Sequence, residues 1–354
     1  QDFTFPFPIT INTANIIDTQ GRTIQVQNWG PCSFPLCQIT KLTDPTTRNT
    51  QYFYNASNQL TSVIDGAGNT TSYGWTNGAL TSITDPRNYV TQIQYTVQGQ
   101  VFSVTLGSNT PTPSTWTFAY NVGNTVVTDP IRNATAYYYS STSGAVTQVT
   151  DANGHSWSNS YNSDLHQLQL TDPLGKITTW TYSSDGRNNL LSTRQPDGQL
   201  EQWTYTDPNN PYLPNSYTDA QGDVFTYTYD LHGNLTSSAN QLLSQNTTSW
   251  AYNSDGTVNT NTDANGHVTT FGYTSGNNTS ITYPSPRGGV SYGYDAVSRV
   301  TSYTDGRGDQ TTFTYDALDR VKTATFSDTT QVTYQYDNSG NVTQRTDAIG
   351  TTSW

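Results

Sequence analysis

The chain has no methionine, only three lysines, two cysteines and a single glutamate, Glu201, among its 354 residues. Charged residues make up 11% and hydrophobic residues 32% of the sequence, whereas an ordinary soluble domain has about 25% and 45–50%. The strongest helix formers are therefore scarce, while threonine, asparagine, serine and the 25 tyrosines suit strands and turns. This composition predicts an all-β protein that is stabilised by something other than a large aliphatic core.

Clusters of basic charge and long apolar runs are also missing. The 14 lysines and arginines are scattered singly, and the net charge is −12. Nucleic acid and anionic membrane surfaces are poor partners for such a chain. No apolar run approaches the roughly 18–20 residues of a membrane span. We therefore expect no nucleic-acid partner and no membrane span.

The two cysteines, Cys32 and Cys37, lie in the proline-containing segment 30–37. A zinc site would need further cysteine or histidine ligands close by, and the four histidines do not supply them. The alternatives are a small disulfide-closed loop and two unrelated free thiols. We expect the Cys32–Cys37 disulfide and, with so few basic residues, a secreted protein in an extracellular, periplasmic or cell-surface setting.

An Asp-x-x-Gly-like turn recurs along the chain with a period of about 21–22 residues, in which the longer steps are skipped single repeats. Aspartate caps its own backbone and glycine supplies a positive φ, so these positions are mechanical turn signals. The turns begin at Asp44, Asp65, Asp85, Asp129, Asp151, Asp172, Asp197, Asp219, Asp263, Asp305 and Asp347.

An aromatic residue recurs between these turns with the same period, and we call these residues the anchors. They are Tyr54, Trp75, Tyr95, Tyr120, Tyr139, Tyr161, Tyr182, Tyr205, Tyr229, Tyr252, Tyr273, Tyr294, Tyr315 and Tyr336. In 12 of the 14 cases the residue two positions earlier is also aromatic, which places both rings on one face of a strand. Stacked hairpins would bring these rings together, so we expect the anchors to be structural and to replace the missing core.

Each unit reads as turn, aromatic strand, turn and threonine-rich strand. The pattern predicts a repetitive β-hairpin spiral, a β-solenoid or shell-like strip, of about 15 units. Residues 96–120 and 205–229 are slightly longer and predict longer loops on the same strip. Residues 1–43 are expected to form an N-terminal capping segment with the cysteine loop and one degenerate repeat, and residues 44–354 the hairpin array.

The segment Tyr315-Asp-Ala-Leu-Asp-Arg-Val, together with Tyr294-Asp-Ala-Val-Ser-Arg-Val and Tyr229-Asp-Leu-His-Gly-Asn-Leu, resembles the YD-repeat or rearrangement-hotspot (Rhs) family. The good matches cover about residues 220–354, and residues 44–219 keep the period with looser anchors. The resemblance implies a spiral of β-hairpins that closes into a hollow shell. Members of this family include toxin-encapsulating bacterial proteins and cell-surface adhesion proteins.

Chemical motifs are weak beside the repeat. The aspartates lie mostly at repeat turns, and His155 and His267 each follow the same Asp-Ala-Asn-Gly turn, so repetition explains them better than catalysis. No dinucleotide fingerprint, phosphate loop or nucleophile elbow is present. The sequence therefore predicts no catalytic, cofactor-binding or metal-ligating residues.

The favoured function is a secreted, non-enzymatic structural repeat scaffold, either the wall of an encapsulating shell or a self-assembling extracellular fibre. The alternatives are a cell-surface adhesion or carbohydrate-binding module, with a surface glycan as partner, and a glycoside-active enzyme with two aspartates as its carboxylates. Because the sequence begins at Gln1 and stops at Trp354 within a repeat, we expect a processed segment of a longer chain. Its partners would be the remaining repeats, or further copies in a homo-oligomer or fibre joined through unpaired strand edges.

Overall fold

The computed structural model describes residues 13–17, 22–28, 38–242, 247–338 and 340–354. Within these ranges every regular element is a β-strand and there is no helix. The all-β prediction is therefore confirmed. In the same ranges, no helix has the length and hydropathy that crossing a membrane would require.

The strands are short, and most are five or six residues long. The first sixteen are β1 (Thr13–Ile17), β2 (Thr23–Asn28), β3 (Ile39–Thr43), β4 (Asn49–Tyr54), β5 (Leu60–Ile64), β6 (Thr70–Thr76), β7 (Ala79–Thr84), β8 (Val90–Tyr95), β9 (Val101–Leu106), β10 (Ser114–Asn121), β11 (Asn124–Thr128), β12 (Ala134–Tyr139), β13 (Val146–Thr150), β14 (Ser156–Tyr161), β15 (Gln167–Thr171) and β16 (Ile177–Tyr182).

The repeat continues through the second half of the sequence with the same alternation of aromatic and threonine-rich strands. These strands are β17 (Leu190–Arg194), β18 (Leu200–Thr204), β19 (Ser216–Thr218), β20 (Val224–Tyr229), β21 (Leu235–Asn240), β22 (Thr247–Tyr252), β23 (Val258–Thr262), β24 (Val268–Thr274), β25 (Asn277–Thr282), β26 (Val290–Tyr294), β27 (Val300–Thr304), β28 (Gln310–Tyr315), β29 (Val321–Thr325), β30 (Gln331–Tyr336), β31 (Val342–Thr346) and β32 (Thr351–Ser353).

All of these strands belong to one antiparallel sheet. The chain divides into two units, unit 1 with residues 1–94, 104–114 and 271–354, and unit 2 with residues 95–103 and 115–270. In unit 1, strands β1 to β7 and strands β25 to β32 pair in sequence order. In unit 2, strands β11 to β23 do the same. This order confirms the predicted repetitive β-hairpin fold.

The two faces of the sheet differ in chemistry, as β28 to β30 show. On one face Phe313 lies opposite Ala324, and Ala324 lies opposite Val332. On the other face the corresponding register positions are all threonine: Thr312 with Thr325, Thr314 with Thr323, and Thr323 with Thr333. We call the first the aromatic face and the second the hydroxyl face. Along β28 the hydroxyl-face residues are exposed and the aromatic-face residues are half-buried.

The expectation that stacked rings form a core needs correction. Among the described residues only Val26, Ala324 and Val332 are buried hydrophobic residues, and no side chain falls below 2% exposure. The described anchors are half-buried, except for Tyr120, which is 39% exposed. The rings therefore form a thin layer on one side of a sheet, because a single sheet has no second layer of strands or helices to cover them.

The N-terminal segment contributes strands to the same pattern. Strand β1 pairs with β2, β2 with β3, and β3 with β4, so antiparallel pairing begins before residue 44. The boundary between residues 1–43 and 44–354 stays a prediction. Cys32 and Cys37 lie outside the described residues, and their disulfide also stays a prediction. The longer loops expected within 96–120 and 205–229 lie between β9 and β10 and between β18 and β19.

Candidate functional site: the repeat turns and the aromatic anchors

An aspartate closes the turn that precedes most of the aromatic strands. In the turn after β27, Asp305 Oδ1 accepts hydrogen bonds from the backbone N–H groups of Arg307 at 2.8 Å and Asp309 at 3.0 Å. The backbone N–H of Gly308 donates to the Asp305 carbonyl at 3.0 Å. Gly308 has a φ of +92°, a region that glycine enters without steric cost. The turn chemistry is thus the one expected from the sequence.

A turn of the same design follows several of the anchors. Asp316 Oδ1 accepts from the backbone N–H groups of Leu318 at 2.9 Å and Arg320 at 3.1 Å. Asp319 occupies the glycine position there with a φ of +64°. Some of these turns begin with asparagine, as at Asn162, whose Oδ1 accepts the corresponding N–H groups at 3.0 and 2.9 Å. An asparagine oxygen can thus replace the aspartate carboxylate, and the turn does not need a negative charge.

A register shift directs the anchor ring. In ten hairpins the pairing slips immediately before the anchor, for example between Thr314 and Tyr315. A bulge of this kind turns the next side chain away from strict alternation. The Tyr315 hydroxyl then donates to the carbonyl of Val300, the first residue of β27, at 2.6 Å.

The same bond recurs at most of the anchors. Ten of them donate to a backbone carbonyl 15–19 residues earlier at 2.6–3.2 Å, namely Tyr54, Trp75, Tyr120, Tyr139, Tyr161, Tyr229, Tyr252, Tyr294, Tyr315 and Tyr336. Each bond joins one repeat to the preceding one. Trp75 keeps the bond through its indole Nε1 at 2.7 Å, which explains how tryptophan can replace tyrosine at this position.

In three repeats the residue five positions after an anchor packs on the next anchor, a role that the sequence analysis did not assign. The guanidinium of Arg299 lies 4.8 Å from the ring centroid of Tyr315, and that of Arg320 lies 4.4 Å from Tyr336. His166 takes the equivalent position, with ring centroids 5.1 Å from Tyr182. The signal was present in the Tyr-Asp-x-x-x-Arg spacing, because that spacing places the cation in the turn beside the next ring.

Arginines also join neighbouring turns by hydrogen bonds. In unit 1, Arg299 Nε binds Asp295 of its own turn at 2.6 Å, and Arg299 Nη1 binds Asp319 Oδ1 of the next repeat at 2.6 Å. Asp319 Oδ1 also accepts from Arg48 Nη1 at 2.6 Å. Arg48 belongs to a turn near the other end of the sequence, and its Nη1 donates to the Ala317 carbonyl at 3.0 Å as well. Asp319 thus joins three turns.

Hydrogen bonds within the turns keep their carboxylates charged. The side chain and backbone N–H of Asn234 hold the pKa of Asp230 below its ordinary value of 3.8. The backbone N–H groups of Ile349 and Gly350 likewise lower the pKa of Asp347. Burial raises the pKa of the Tyr315 hydroxyl from 10.0. At neutral pH Asp230 and Asp347 therefore carry negative charge, while the Tyr315 hydroxyl remains a neutral donor.

Shallow grooves lie beside the turns that follow the anchors. In unit 1, a groove of about 700 Å³ is lined by Gln38, Phe53 and Tyr54, among others. In unit 2, an equivalent groove of about 530 Å³ is lined by Asn234, Trp250 and Tyr252. In the described part of the chain no group of three or more histidine, cysteine, aspartate or glutamate side chains is placed to hold a metal ion. His155 and His267 each lie 3.0 Å from the aspartate of their own turn, Asp151 and Asp263.

Comparisons with known proteins were made for the sequence and for the structure. The RHS Repeat family model matches residues 38–70, 294–331 and 315–352. No curated protein sequence matches the chain. The structure is similar to the Photorhabdus luminescens Tc holotoxin pore, with 14% identity and a TM-score of 0.70 over 92% of this chain and 20% of that chain.

A second similar structure is the crystal structure of TcdB2-TccC3-TEV, with 13% identity and a TM-score of 0.53 over 93% of this chain and 23% of that one. The chain therefore spans about a fifth of the length of these two solved chains. At these identities the likeness shows a shared fold.

The family matches fall on the repeats whose geometry is described above. Residues 38–70 include the anchor Tyr54, and residues 294–331 and 315–352 include Tyr294, Tyr315 and Tyr336. These segments carry the bulged anchors and the side-chain oxygens that cap the turns. The matches confirm the resemblance seen in the sequence, and the chain therefore contains RHS repeats of the YD type.

Proposed function

We propose that this chain is a structural repeat scaffold, a section of the wall of a larger β-hairpin enclosure, and that it catalyses no reaction. The bond between Arg48 and Asp319 is the observation that carries this proposal. It joins turns that are 271 positions apart in the sequence at 2.6 Å within unit 1. A wall needs such contacts, because a strip of hairpins can enclose space only if its edges meet.

Hydrogen bonds in two directions support the proposal of a wall. Along the strip, ten of the anchors bond to the preceding repeat, as in Tyr315 to Val300, and Arg299 bonds to Asp319 of the following turn. Across the strip, Arg48 reaches Ala317 and Asp319. The turn aspartates take part in this network or cap their own backbone, and this use supports a mechanical role for them.

The similar solved structures support the assembly part of the proposal. One belongs by name to a Tc holotoxin and the other to TcdB2-TccC3-TEV. We infer that this chain likewise works within a larger assembly, with further repeats or other chains as its partners. The acidic, lysine-poor composition and the predicted disulfide favour a secreted or cell-surface location.

The accessibility of cysteines on the two faces tests the proposal. Thr311 lies on the aromatic face of β28 and Thr314 on its hydroxyl face. Single cysteines at these positions are placed in the full-length protein with Cys32→Ser and Cys37→Ser. They are then treated with a small maleimide and with a maleimide carried on a large polymer.

We expect both cysteines to react with the small reagent and only one of them with the large reagent, because one face is enclosed. After denaturation both should react with either reagent. Equal reaction of both cysteines with the large reagent in the folded full-length protein would contradict an enclosing wall.

A further inference from the structure

Glu201 is the only acidic residue in any strand of the described chain. Every aspartate in the described ranges lies in a turn or loop. Glu201 is the second residue of β18 in unit 2. A carboxylate in the middle of a strand caps no turn, so its position has no explanation in the repeat.

No basic side chain neutralises Glu201 on its own face. Its partner across the β17–β18 pair is Thr193, which is only 7% exposed. The other charged strand residue of unit 2, Arg194, is adjacent to Thr193 and so lies on the opposite face, where it donates to the Gly198 carbonyl at 3.3 Å. Among the described residues no ion pair includes Glu201.

A stack of three aromatic rings includes the ring whose hydroxyl donates to this carboxylate. The ring centroids of Trp203 and Tyr217 are 5.2 Å apart, and those of Tyr217 and Phe225 are 5.9 Å apart. The Tyr217 hydroxyl donates to Glu201 Oε1 at 2.6 Å. Tyr217 is the middle ring of this stack, and Trp203 and Phe225 are its two ends. In the described chain no other ring contacts Trp203 or Phe225.

The hydrogen bond between Tyr217 and Glu201 changes the acidity of the Tyr217 hydroxyl. Hydrogen bonding to Glu201 is the main cause that raises the pKa of Tyr217 to about 12. Tyr217 therefore stays protonated and donates to Oε1 of Glu201, and among the described residues no hydrogen bond reaches the second carboxylate oxygen. A half-buried carboxylate beside apolar rings is costly unless a cation pairs with it.

We propose that Glu201, Trp203 and Tyr217 form a binding site for the guanidinium group of an arginine that another polypeptide presents. A guanidinium is planar, so it can stack on the outer face of Trp203 and donate to the carboxylate at the same time. An ammonium group is a strongly hydrated point charge and cannot stack in this way. A neutral sugar could stack and donate hydroxyl hydrogen bonds, but it would bring no positive charge to the carboxylate. This site goes beyond the proposed wall function and does not depend on it.

The experiment uses the indole N–H signals of the isotopically labelled protein during a titration. The probe is N-acetylarginine amide, and the matched neutral probe is N-acetylcitrulline amide, which has nearly the same shape. The Trp203 signal is assigned from the Trp203→Leu variant. Glu201→Gln removes the charge but keeps an oxygen that can accept from Tyr217. The control is Asp164→Asn. It removes the charge of a turn carboxylate in the same unit that accepts a hydrogen bond from Asn188.

We expect the arginine probe to shift the Trp203 signal and the citrulline probe to bind at least tenfold more weakly. Glu201→Gln and Trp203→Leu should each weaken binding of the arginine probe at least tenfold. Because Trp203→Leu lacks the indole signal, its binding is measured by calorimetry. Asp164→Asn should bind like the parent. Absence of binding to the parent, equal binding of citrulline, or unchanged binding by Glu201→Gln would each overturn the proposal.

Discussion

Arg48 donates a hydrogen bond to Asp319 at 2.6 Å although 271 positions separate them in the sequence. Asp319 also accepts a hydrogen bond from Arg299 of the preceding repeat at 2.6 Å. Asp319 adopts a φ of +64°, an unfavourable region for most residues that aspartate and asparagine tolerate. In unit 1 this aspartate therefore joins neighbouring repeats and distant repeats at one point.

The first prediction concerns this junction. Asp319→Asn keeps the backbone conformation but removes the charge shared by the two arginines, so we expect a loss of about 0.5–1 kcal/mol, typical of exposed ion pairs in a network. The loss should shrink in about 1 M salt, which screens charges beyond a few ångströms. Urea unfolding at low and high salt measures both effects.

Asp309→Asn is the matched control, because Asp309 is 58% exposed and its ion-pair partner is Arg307 of its own turn, at 3.6 Å. We expect it to change stability less than Asp319→Asn. Equal losses for the two variants at low salt would show that Asp319 does not act as a junction.

The second prediction concerns the anchor bond. Tyr315→Phe removes the hydroxyl that donates to Val300 at 2.6 Å and should cost about 1 kcal/mol. Tyr315→Ala also removes a half-buried ring and its contact with Arg299, so we expect a loss of about 2–3 kcal/mol, less than for a fully buried ring. Equilibrium denaturation measures both losses.

Tyr212 supplies the control for the anchors, because it is 66% exposed. Tyr212→Ala should change the free energy of unfolding by less than about 0.5 kcal/mol. If Tyr315→Ala unfolds like the parent but loses binding to a sugar or a cell surface, the anchors are ligand-binding residues and the adhesion alternative gains support.

The third prediction concerns the stability of the turns at acidic pH. Backbone hydrogen bonds, first that of Arg307, lower the pKa of Asp305 from 3.8, and hydrogen bonds from Asn234 lower that of Asp230. A folded-state pKa below the unfolded value stabilises the protein above about pH 3.8, and this stability is lost as the pH falls through the folded-state pKa. We expect acid to open the aspartate turns first.

Hydrogen exchange at the turn amides between about pH 5 and pH 3 can follow this loss. The turns that begin with Asn55 and Asn162 make the same side-chain bonds without a titrating group. They should keep their protection when the aspartate turns lose theirs, once intrinsic exchange rates are corrected. Parallel loss in both kinds of turn would contradict the assigned cause.

The fourth prediction concerns backbone strain. Leu165 has a φ of +65° and is 50% exposed, so its side chain gains little from burial while its backbone is unfavourable. Leu165→Gly should raise the free energy of unfolding by about 0.5–1 kcal/mol. Leu174→Gly is the control, because Leu174 is 80% exposed and the positive φ of its turn belongs to Gly175. A gain at Leu174, or a loss at Leu165, would refute this explanation.

The fifth prediction is the Cys32–Cys37 disulfide. Alkylation of the native protein followed by mass measurement should find no free thiol, because the loop between the cysteines is short and the setting is expected to be oxidising. Two alkylated cysteines before reduction would show free thiols. Reduction itself should cost little stability, since the closed loop contains few residues.

The turns and the strands between them can be predicted from the sequence alone. The side-chain oxygens of Asp305 and Asp316 and the glycine at 308 act within five residues, so their turns can be read without any tertiary information. The anchors and the strands between the turns follow from the same short period. Residues with these propensities form hairpins wherever they stand in the chain.

The tertiary structure alone decided which residues meet across repeats. The bulge before Tyr315 and its bond to Val300 depend on the register between strands, and the half-buried state of the anchors depends on whether a second layer covers them. The meeting of Arg48 with Asp319 depends on how two stretches of unit 1 that are far apart in the sequence pack together, which no single repeat encodes. The pairing of Glu201 with Tyr217 likewise needed the register of β18 and β19, since a slip of one residue would place the two side chains on opposite faces.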